Sequence, residues 1–259
     1  MNEHQSTRPS QSPGEPSRIY DPSFVKDVFD RCSGKYILFS YACSFGFTER
    51  WRGQCVDLLG ASLPDGALGY DLMAGTGEAW PHLFRKHPAI GAITAVDIST
   101  GMHNRAMKRL HRMRKQKIAF IEDDVFASAL PADSADFVIS TFGLKTFEPS
   151  QLDRLAALIA RVLKPGGRFA LIEASDPEGW VFRPLYLLHL KGILPLVERL
   201  LLRGAQDFAM IGTYCTNFGS ASPFARMLEE RGLEVVFKRH FFGCATSVSG
   251  CKPLERGQD

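Results

Sequence analysis

The sequence predicts an α/β protein built on one open, mostly parallel sheet of seven strands, with a helical lid before it and a helical cap after its fifth strand. Three observations carry this. Short apolar runs alternate with amphipathic helical stretches from residue 67 to residue 172, the rhythm of strand–helix–strand units. Glycine-containing turns punctuate that alternation at Gly75-Thr76-Gly77 and Pro165-Gly166-Gly167. And 259 residues with 45% hydrophobic and 23% charged side chains describe a globular chain, excluding a collagenous, coiled-coil or wholly disordered one.

Residues 1–20 are rich in Ser, Pro, Gln and Glu and too poor in apolar groups to order themselves, so they are expected to form a disordered tail, with no apolar core for a secretory signal. Residues 21–259 are expected to form a single domain. Within it, residues 21–60 are the lid: Phe24, Val25, Val28 and Phe29 recur at helical spacing, and the aromatic stretch Tyr36 to Trp51 adds one or two further short helices. Strands follow at Ala67–Met73, Ile93–Ile98, Ile118–Ile121, Phe137–Ser140 and Phe169–Ile172. Between them lie a helix over Glu78–His87 with Pro81 in its first turn, a helix from about Met102 to Lys115 capped by Ser99, and an amphipathic helix with Leu152, Leu155, Leu158, Ile159 and Leu163 on one face. Lys164-Pro165-Gly166-Gly167 is expected to be a plain turn ending that last helix. Residues 177–222 break the rhythm and read as an irregular helical cap, followed by a short helix over Phe224–Glu230 and two strands, Leu233–Phe237 and Ala245–Ser249.

A net charge of +3 gives no reason to expect a polyanionic partner. The leucine-rich segment from Val181 to Arg203 is interrupted by Arg183, His189, Lys191, Glu198, Arg199 and two prolines, and each charge would cost roughly 2.5–3.5 kcal/mol at a bilayer centre, so no stable membrane insertion is expected. Cysteines 32, 43, 55, 215, 244 and 251 form no metal-ligand spacing and read as free thiols in a reducing cytoplasm. No metal is expected, and a homodimer stays open.

The chemistry concentrates in Tyr70-Asp71-Leu72-Met73-Ala74-Gly75-Thr76-Gly77-Glu78, where a strand ends in a carboxylate, a Gly-x-Gly turn follows and a helix begins. Gly75 and Gly77 permit positive φ and close approach of a ligand to the backbone. A dinucleotide would want a third glycine where Trp80 stands, and a phosphate loop would want Gly-Lys-Ser/Thr, which is missing. Asp71 would repel a pyrophosphate and attract an amino group. Asp97 closes the next strand, 26 positions on, where a carboxylate can take both hydroxyls of an unphosphorylated ribose. Asp124 follows the third strand and can accept from an adenine amino group. A ligand with a free amine, a free ribose and an adenine is S-adenosylmethionine.

These segments resemble the motifs of class I S-adenosylmethionine-dependent methyltransferases: Asp71 to Glu78 the first, Val96-Asp97-Ile98-Ser99-Thr100-Gly101-Met102 the second, and Leu163-Lys164-Pro165-Gly166-Gly167-Arg168 the turn before strand five. Over about residues 24–252 the chain is most similar to the ubiquinone/menaquinone biosynthesis C-methyltransferases, through Val28-Phe29-Asp30, Tyr36, Ser44-Phe45-Gly46, Trp51-Arg52, Phe142-Gly143-Leu144-Lys145 and Pro184-Leu185-Tyr186. The resemblance implies a Rossmann-like sheet whose cofactor contacts come from Tyr36, Asp71, Ala74, Gly75, Gly77, Asp97, Ile98, Met102, Asp124, Val125 and Ser140. The substrate side departs from that family. Ile37 stands where the quinone enzymes have Asp, Ser40 where they have Asn, and Met210 to Thr216 replaces their Tyr-Leu-x-x-Ser-Ile stretch, so a rebuilt substrate site is expected.

Aromatic residues of the lid, Tyr41 and Phe45, with Phe142, are the expected substrate contacts; Tyr186, Tyr214 and His189 of the cap are the candidate catalytic groups, each weighed against a structural role. The basic run Arg105, Lys108, Arg109, Arg112, Arg114, Lys115 and Lys117 reads as a solvated helix face, without nucleic acid. Three functions follow: methyl transfer to carbon or oxygen of a small apolar or aromatic acceptor, cyclisation of S-adenosylmethionine to azetidine-2-carboxylate with release of methylthioadenosine, or a non-catalytic scaffold.

Overall fold

In the computed structural model, which describes residues 18–113, 117–201 and 209–254, seven strands form one sheet. They are β1 (Leu68–Leu72), β2 (Ala92–Asp97), β3 (Ile118–Glu122), β4 (Ala135–Thr141), β5 (Leu163–Ala174), β6 (Glu234–His240) and β7 (Ala245–Cys251). Their order is β3-β2-β1-β4-β5-β7-β6. β1 to β5 run parallel, and β7 is antiparallel to both β5 and β6. The order reverses between β1 and β4, which opens a crevice beyond their carboxyl ends where ligands bind in such sheets.

The lid consists of α1 (Pro22–Cys32), α2 (Tyr36–Cys43) and α3 (Phe47–Asp57). α4 (Trp80–Lys86), α5 (Thr100–Arg112) and α6 (Pro149–Val162) connect the parallel strands. α6 starts where the sequence dictates: Pro149 takes the first helical position, and Glu148 and Gln151 exchange hydrogen bonds as a capping box. Its Leu155 and Ile159 are wholly buried against one sheet face, each contributing roughly 1.5–3 kcal/mol. The opposite face is covered by α3 and α4 through Trp51, Cys55 and Leu83. Ser99 caps α5 as expected, its hydroxyl oxygen accepting from Met102 N–H at 3.1 Å. The same hydroxyl donates to Asp30 Oδ1 at 2.6 Å, and Gly101 N–H donates to that oxygen at 2.7 Å. Asp30 thereby fastens α1 to the start of α5 and holds the lid over the crevice.

The cap runs through α7 (Arg183–Leu188), a π-helical turn (His189–Ile193), α8 (Leu194–Leu201) and α9 (Ala209–Phe218), and α10 (Ser222–Glu230) returns the chain to the sheet. Three expectations need correction. Lys164 to Gly167 is no plain turn: β5 begins at Leu163, and the register with β4 shifts between Ala135 and Phe137, so the glycines form a bulge within a longer strand. α5 ends at Arg112, and Arg114 and Lys115 lie outside the described residues. Residues 18–20 of the expected tail form a 3-10 turn, since Tyr214 Oη donates to Ile19 O at 2.6 Å and Tyr20 packs on the Tyr214 ring; residues 1–17 lie outside the described residues. Among the described residues no helix is long and apolar enough to cross a membrane, and no group of three or more His, Cys, Asp or Glu could hold a metal ion.

Candidate active site

A first cavity of about 880 Å³, counted to its open mouth, lies over the β1–β4 crevice under the lid. Ala74, Gly75, Asp97, Ile98, Met102, Asp124 and Val125 all line it, as does Tyr36 from α2. The turn after β1 is shaped for a ligand. Gly75 has φ +56, and a Cβ built on it would meet nothing within 4 Å. Gly75 N–H donates to Asp97 Oδ2 at 2.7 Å and Ser99 N–H to Asp97 Oδ1 at 2.9 Å, which fixes that carboxylate at the cavity wall while burial raises its pKa. Asp124 Oδ1 accepts from Phe126 N–H at 2.9 Å and is held on the far side of the cavity.

Asp71, Gly77 and Ser140 fall outside the cavity lining. Asp71 is buried and accepts from Trp80 Nε1 at 2.8 Å; its other oxygen has no hydrogen-bond partner, and burial pushes the carboxyl up to about 7. It therefore anchors Trp80 beneath the turn. Gly77 is a glycine for the same indole: a Cβ there would sit 2.3 Å from the Trp80 ring. Ser140 is wholly buried in β4, and its neighbours Thr141, Phe142 and Gly143 line the cavity in its place.

Sequence reasoning quoted Arg52 and Glu78 only as parts of longer patterns, and both line the first cavity. Arg52 is buried, Nη2 lies 2.5 Å from Glu78 Oε2, its guanidinium stands over the Phe142 ring at 5.2 Å, and its Nε has no partner. A buried cation with an idle donor fits the carboxylate of an amino-acid moiety. Together with the open cradle at Gly75 and the carboxylates Asp97 and Asp124, the chain's donors and acceptors fit S-adenosylmethionine. The backbone is strained here at two side-chain-bearing residues, Met73 (φ 54) and Phe142 (φ 68), where glycine would be favoured.

A second cavity of about 1300 Å³, again counted to its mouth, opens between lid and cap. Its walls are chiefly aromatic and aliphatic: Phe47, Trp51, Trp180 and Phe241 with Phe45, Tyr186 and His189 of the expected residues. The Phe47 and Phe241 rings lie 4.4 Å apart, and Phe45 packs on His189 at 5.4 Å. Tyr186 Oη reaches Cys244 O at 3.5 Å, a long bond, and burial raises the phenol's pKa. Tyr41 is exposed, its ring packs beside Gly46, and it lines neither cavity. Tyr214 lines neither of these two cavities but the smaller one between them; its hydroxyl donates to Ile19 O at 2.6 Å, and burial raises its pKa.

A third, smaller cavity of about 590 Å³ lies between the two. It shares Phe29, Tyr36 and Phe142 with the first and Ser40, Thr48 and Ala174 with the second. Lys145 lines it; its Nζ donates to Phe142 O at 2.6 Å and to the buried Glu173 Oε1 at 2.9 Å, while Lys145 N–H donates to Glu173 Oε2 at 3.0 Å. This pair sets the conformation of the loop that carries Phe142. Arg109, read from sequence as part of a solvated face, turns inward, Nε donating to Thr76 O at 2.8 Å to brace the glycine turn.

The fold matches solved methyltransferases. The methyltransferase in complex with the Trm112 activator of Haloferax volcanii aligns with a TM-score of 0.60 at 16% identity, over 87% of this chain and 97% of that one. Phosphoethanolamine N-methyltransferase 2 of Haemonchus contortus, in complex with S-adenosyl-L-methionine, aligns with a TM-score of 0.57 at 14% identity, over 79% of this chain and 52% of that one. Demethylmenaquinone methyltransferases from Bacillus cereus (strain ATCC 10987 / NRS 248) and Bacillus anthracis (strain A0248) are each 26% identical over 230 residues, 88% of this chain and 95% of theirs. The model of the ubiE/COQ5 methyltransferase family matches residues 18–252. With its seven-stranded sheet and the cavity over Gly75 and Asp97, the chain belongs to the ubiE/COQ5 methyltransferase family, and its cofactor is S-adenosylmethionine.

Proposed function

We propose that the chain methylates carbon or oxygen of an uncharged, largely apolar or aromatic acceptor seated in the second cavity. What supports this is the third cavity, lined by Tyr36, Phe142, Ser40 and Thr48, which shares walls with both the cavity over Gly75 and Asp97 and the apolar one. When bound, S-adenosylmethionine supplies a methyl group on a sulfonium that is already a good leaving group. Asp97 takes the ribose hydroxyls, Asp124 the adenine amino group, and Arg52 and Glu78 the carboxylate and the amine of the methionine end. Tyr36 and Phe142 offer π faces in the third cavity, worth roughly 0.5–2 kcal/mol to a neighbouring cation. Ser40 and Thr48 supply hydroxyls that can orient an acceptor oxygen, and the lid excludes water from the line of transfer.

Among the described residues the lining of the second cavity contains no Asp, Glu, Lys or Arg, and burying an unpaired charge there would be costly, so the acceptor's body is uncharged. The same cavity supports transfer over ring closure, because cyclisation has no use for a second site. Incubation with S-adenosylmethionine and a panel of acceptors tests this. Neutral phenols, quinols and enolisable apolar ketones should yield S-adenosylhomocysteine, while phosphorylated or zwitterionic amines should not; turnover confined to the charged group would overturn the assignment.

A further inference from the structure

The two residues ahead of Asp21 wall the first cavity and are tied to the cap. Tyr20 lines that cavity together with Pro22 and Val25 of α1. Gln151 Nε2, at the start of α6, donates to Tyr20 O at 3.2 Å, and Gln151 lines the same cavity. Two further ties run to α9. Tyr214 Oη donates to Ile19 O at 2.6 Å, and Asn217 Nδ2 donates to Tyr20 Oη at 3.1 Å. The Tyr20 and Tyr214 rings lie 5.9 Å apart. None of this is needed to start α1, because Asp21 already caps that helix by accepting from Ser23 N–H at 2.8 Å and Phe24 N–H at 3.3 Å.

Helix α9 carries the contact onward. Among the described residues, none of α9 or of the π-helical turn His189–Ile193 lines the first cavity. Tyr214 instead lines the third cavity and Cys215 the second, and both are buried. His189, Leu190 and Ile193 of the π-helical turn also line the second. α9 is seated on that turn at Gly212, where a Cβ would stand only 3.0 Å from Leu190 O, so the two elements pack without slack. A contiguous series of contacts thus runs from Tyr20, through Tyr214 and Asn217, to the wall of the second cavity.

We infer that Tyr214 and Asn217 are positioning residues that couple the two sites: S-adenosylmethionine seated against Tyr20 steadies α9, and α9 steadies the wall of the acceptor cavity. The coupling of the first cavity to the cap stands on these contacts alone; its use in acceptor binding rests on the function proposed above. Coupling is reciprocal, so an acceptor that steadies the cap tightens the cofactor by the same factor. Hydrogen exchange of the full chain, with and without saturating S-adenosylhomocysteine and with no acceptor present, tests the coupling, and its failure would leave methyl transfer untouched. The nucleoside should slow amide exchange over residues 189–193 and 209–218, none of which lines its cavity, by about fivefold or more. In the double variant Tyr214→Phe, Asn217→Ala that slowing should vanish, while Ala74 to Thr76 of the glycine turn are slowed as in the parent. Asn217→Ala alone, at an exposed position, should weaken it. A purely structural tie would instead speed cap exchange by one factor with and without the nucleoside, leaving the slowing intact. That outcome, or a cap in the unaltered chain whose exchange ignores the bound nucleoside, would overturn the inference.

Discussion

Gly75 and Gly77 both have positive φ, yet the structure gives them different work, and replacing each by alanine separates the two roles. At Gly75 (φ +56) the new methyl meets nothing within 4 Å, so the cost to the fold is the left-handed conformation alone, about 1–2 kcal/mol, partly offset by a stiffer unfolded chain. That methyl projects into the nucleoside cavity and should weaken S-adenosylmethionine binding by about tenfold to a hundredfold. At Gly77 (φ +70) the methyl would sit 2.3 Å from the Trp80 ring. Relieving that contact moves the indole, adding about 1–3 kcal/mol of overpacking, and breaks the bond from Trp80 Nε1 to the buried Asp71, adding about 1–3 kcal/mol more. Gly77→Ala should therefore lose about 3–7 kcal/mol in urea unfolding and Gly75→Ala about 1 kcal/mol. Calorimetric titration of the folded Gly75→Ala variant reads the affinity. Unchanged affinity in Gly75→Ala, or equal stability of the two variants, would refute the division of labour.

Arg52→Met should raise the dissociation constant for S-adenosylmethionine by about a hundredfold and destabilise the fold by leaving Glu78 without its cation; adding Glu78→Gln should restore the stability and not the affinity, as read by unfolding and calorimetry together. Asp71 gives a pH dependence whose sign can be worked out. Its folded pKa, about 7, lies above its ordinary 3.8, so the folded chain holds a proton that the unfolded chain has released; stability falls as pH rises from about 4 to about 7, by about 4 kcal/mol in all. Asp71→Asn keeps an acceptor for Trp80 and should flatten this fall, so that the difference in urea midpoint between variant and parent widens from pH 5 to pH 8; a constant difference would contradict the buried carboxyl. Tyr214→Phe should keep turnover and lose about 1 kcal/mol with faster proteolysis near Ile19, whereas abolished turnover with intact stability would return Tyr214 to the chemistry.

Much of the fold was legible because the alternation of apolar runs and amphipathic helices is a local signal: every strand but β5 was placed within a few residues, and Ser99 as a helix cap was placed outright. The bulge at Gly166-Gly167 was not, since only the pairing with β4 and β7 distinguishes a bulge from a turn. Asp97 and Asp124 were singled out from their positions after strand ends, and both line the first cavity. The burial of Asp71 was not legible, because sequence cannot show that Trp80, nine positions on, turns its indole nitrogen toward that carboxylate. Arg52, Glu78 and Lys145 became visible only when α3 met the turn after β1 and the loop after β4, and that loop met β5, contacts between segments far apart in the chain. One signal was available and unused: Phe241-Phe242-Gly243 in a hairpin connection, where polar turn residues are the rule, pointed to the apolar second cavity, which Phe241 lines.

The central claim is that two cavities meet so that a methyl group passes from one ligand to another. Mass spectrometry of the products formed from S-adenosylmethionine, first without and then with a neutral apolar acceptor, tests it most directly. The account predicts no nucleoside product in the first reaction, and S-adenosylhomocysteine in step with methylated acceptor in the second. Methylthioadenosine accumulating in the first reaction would contradict it.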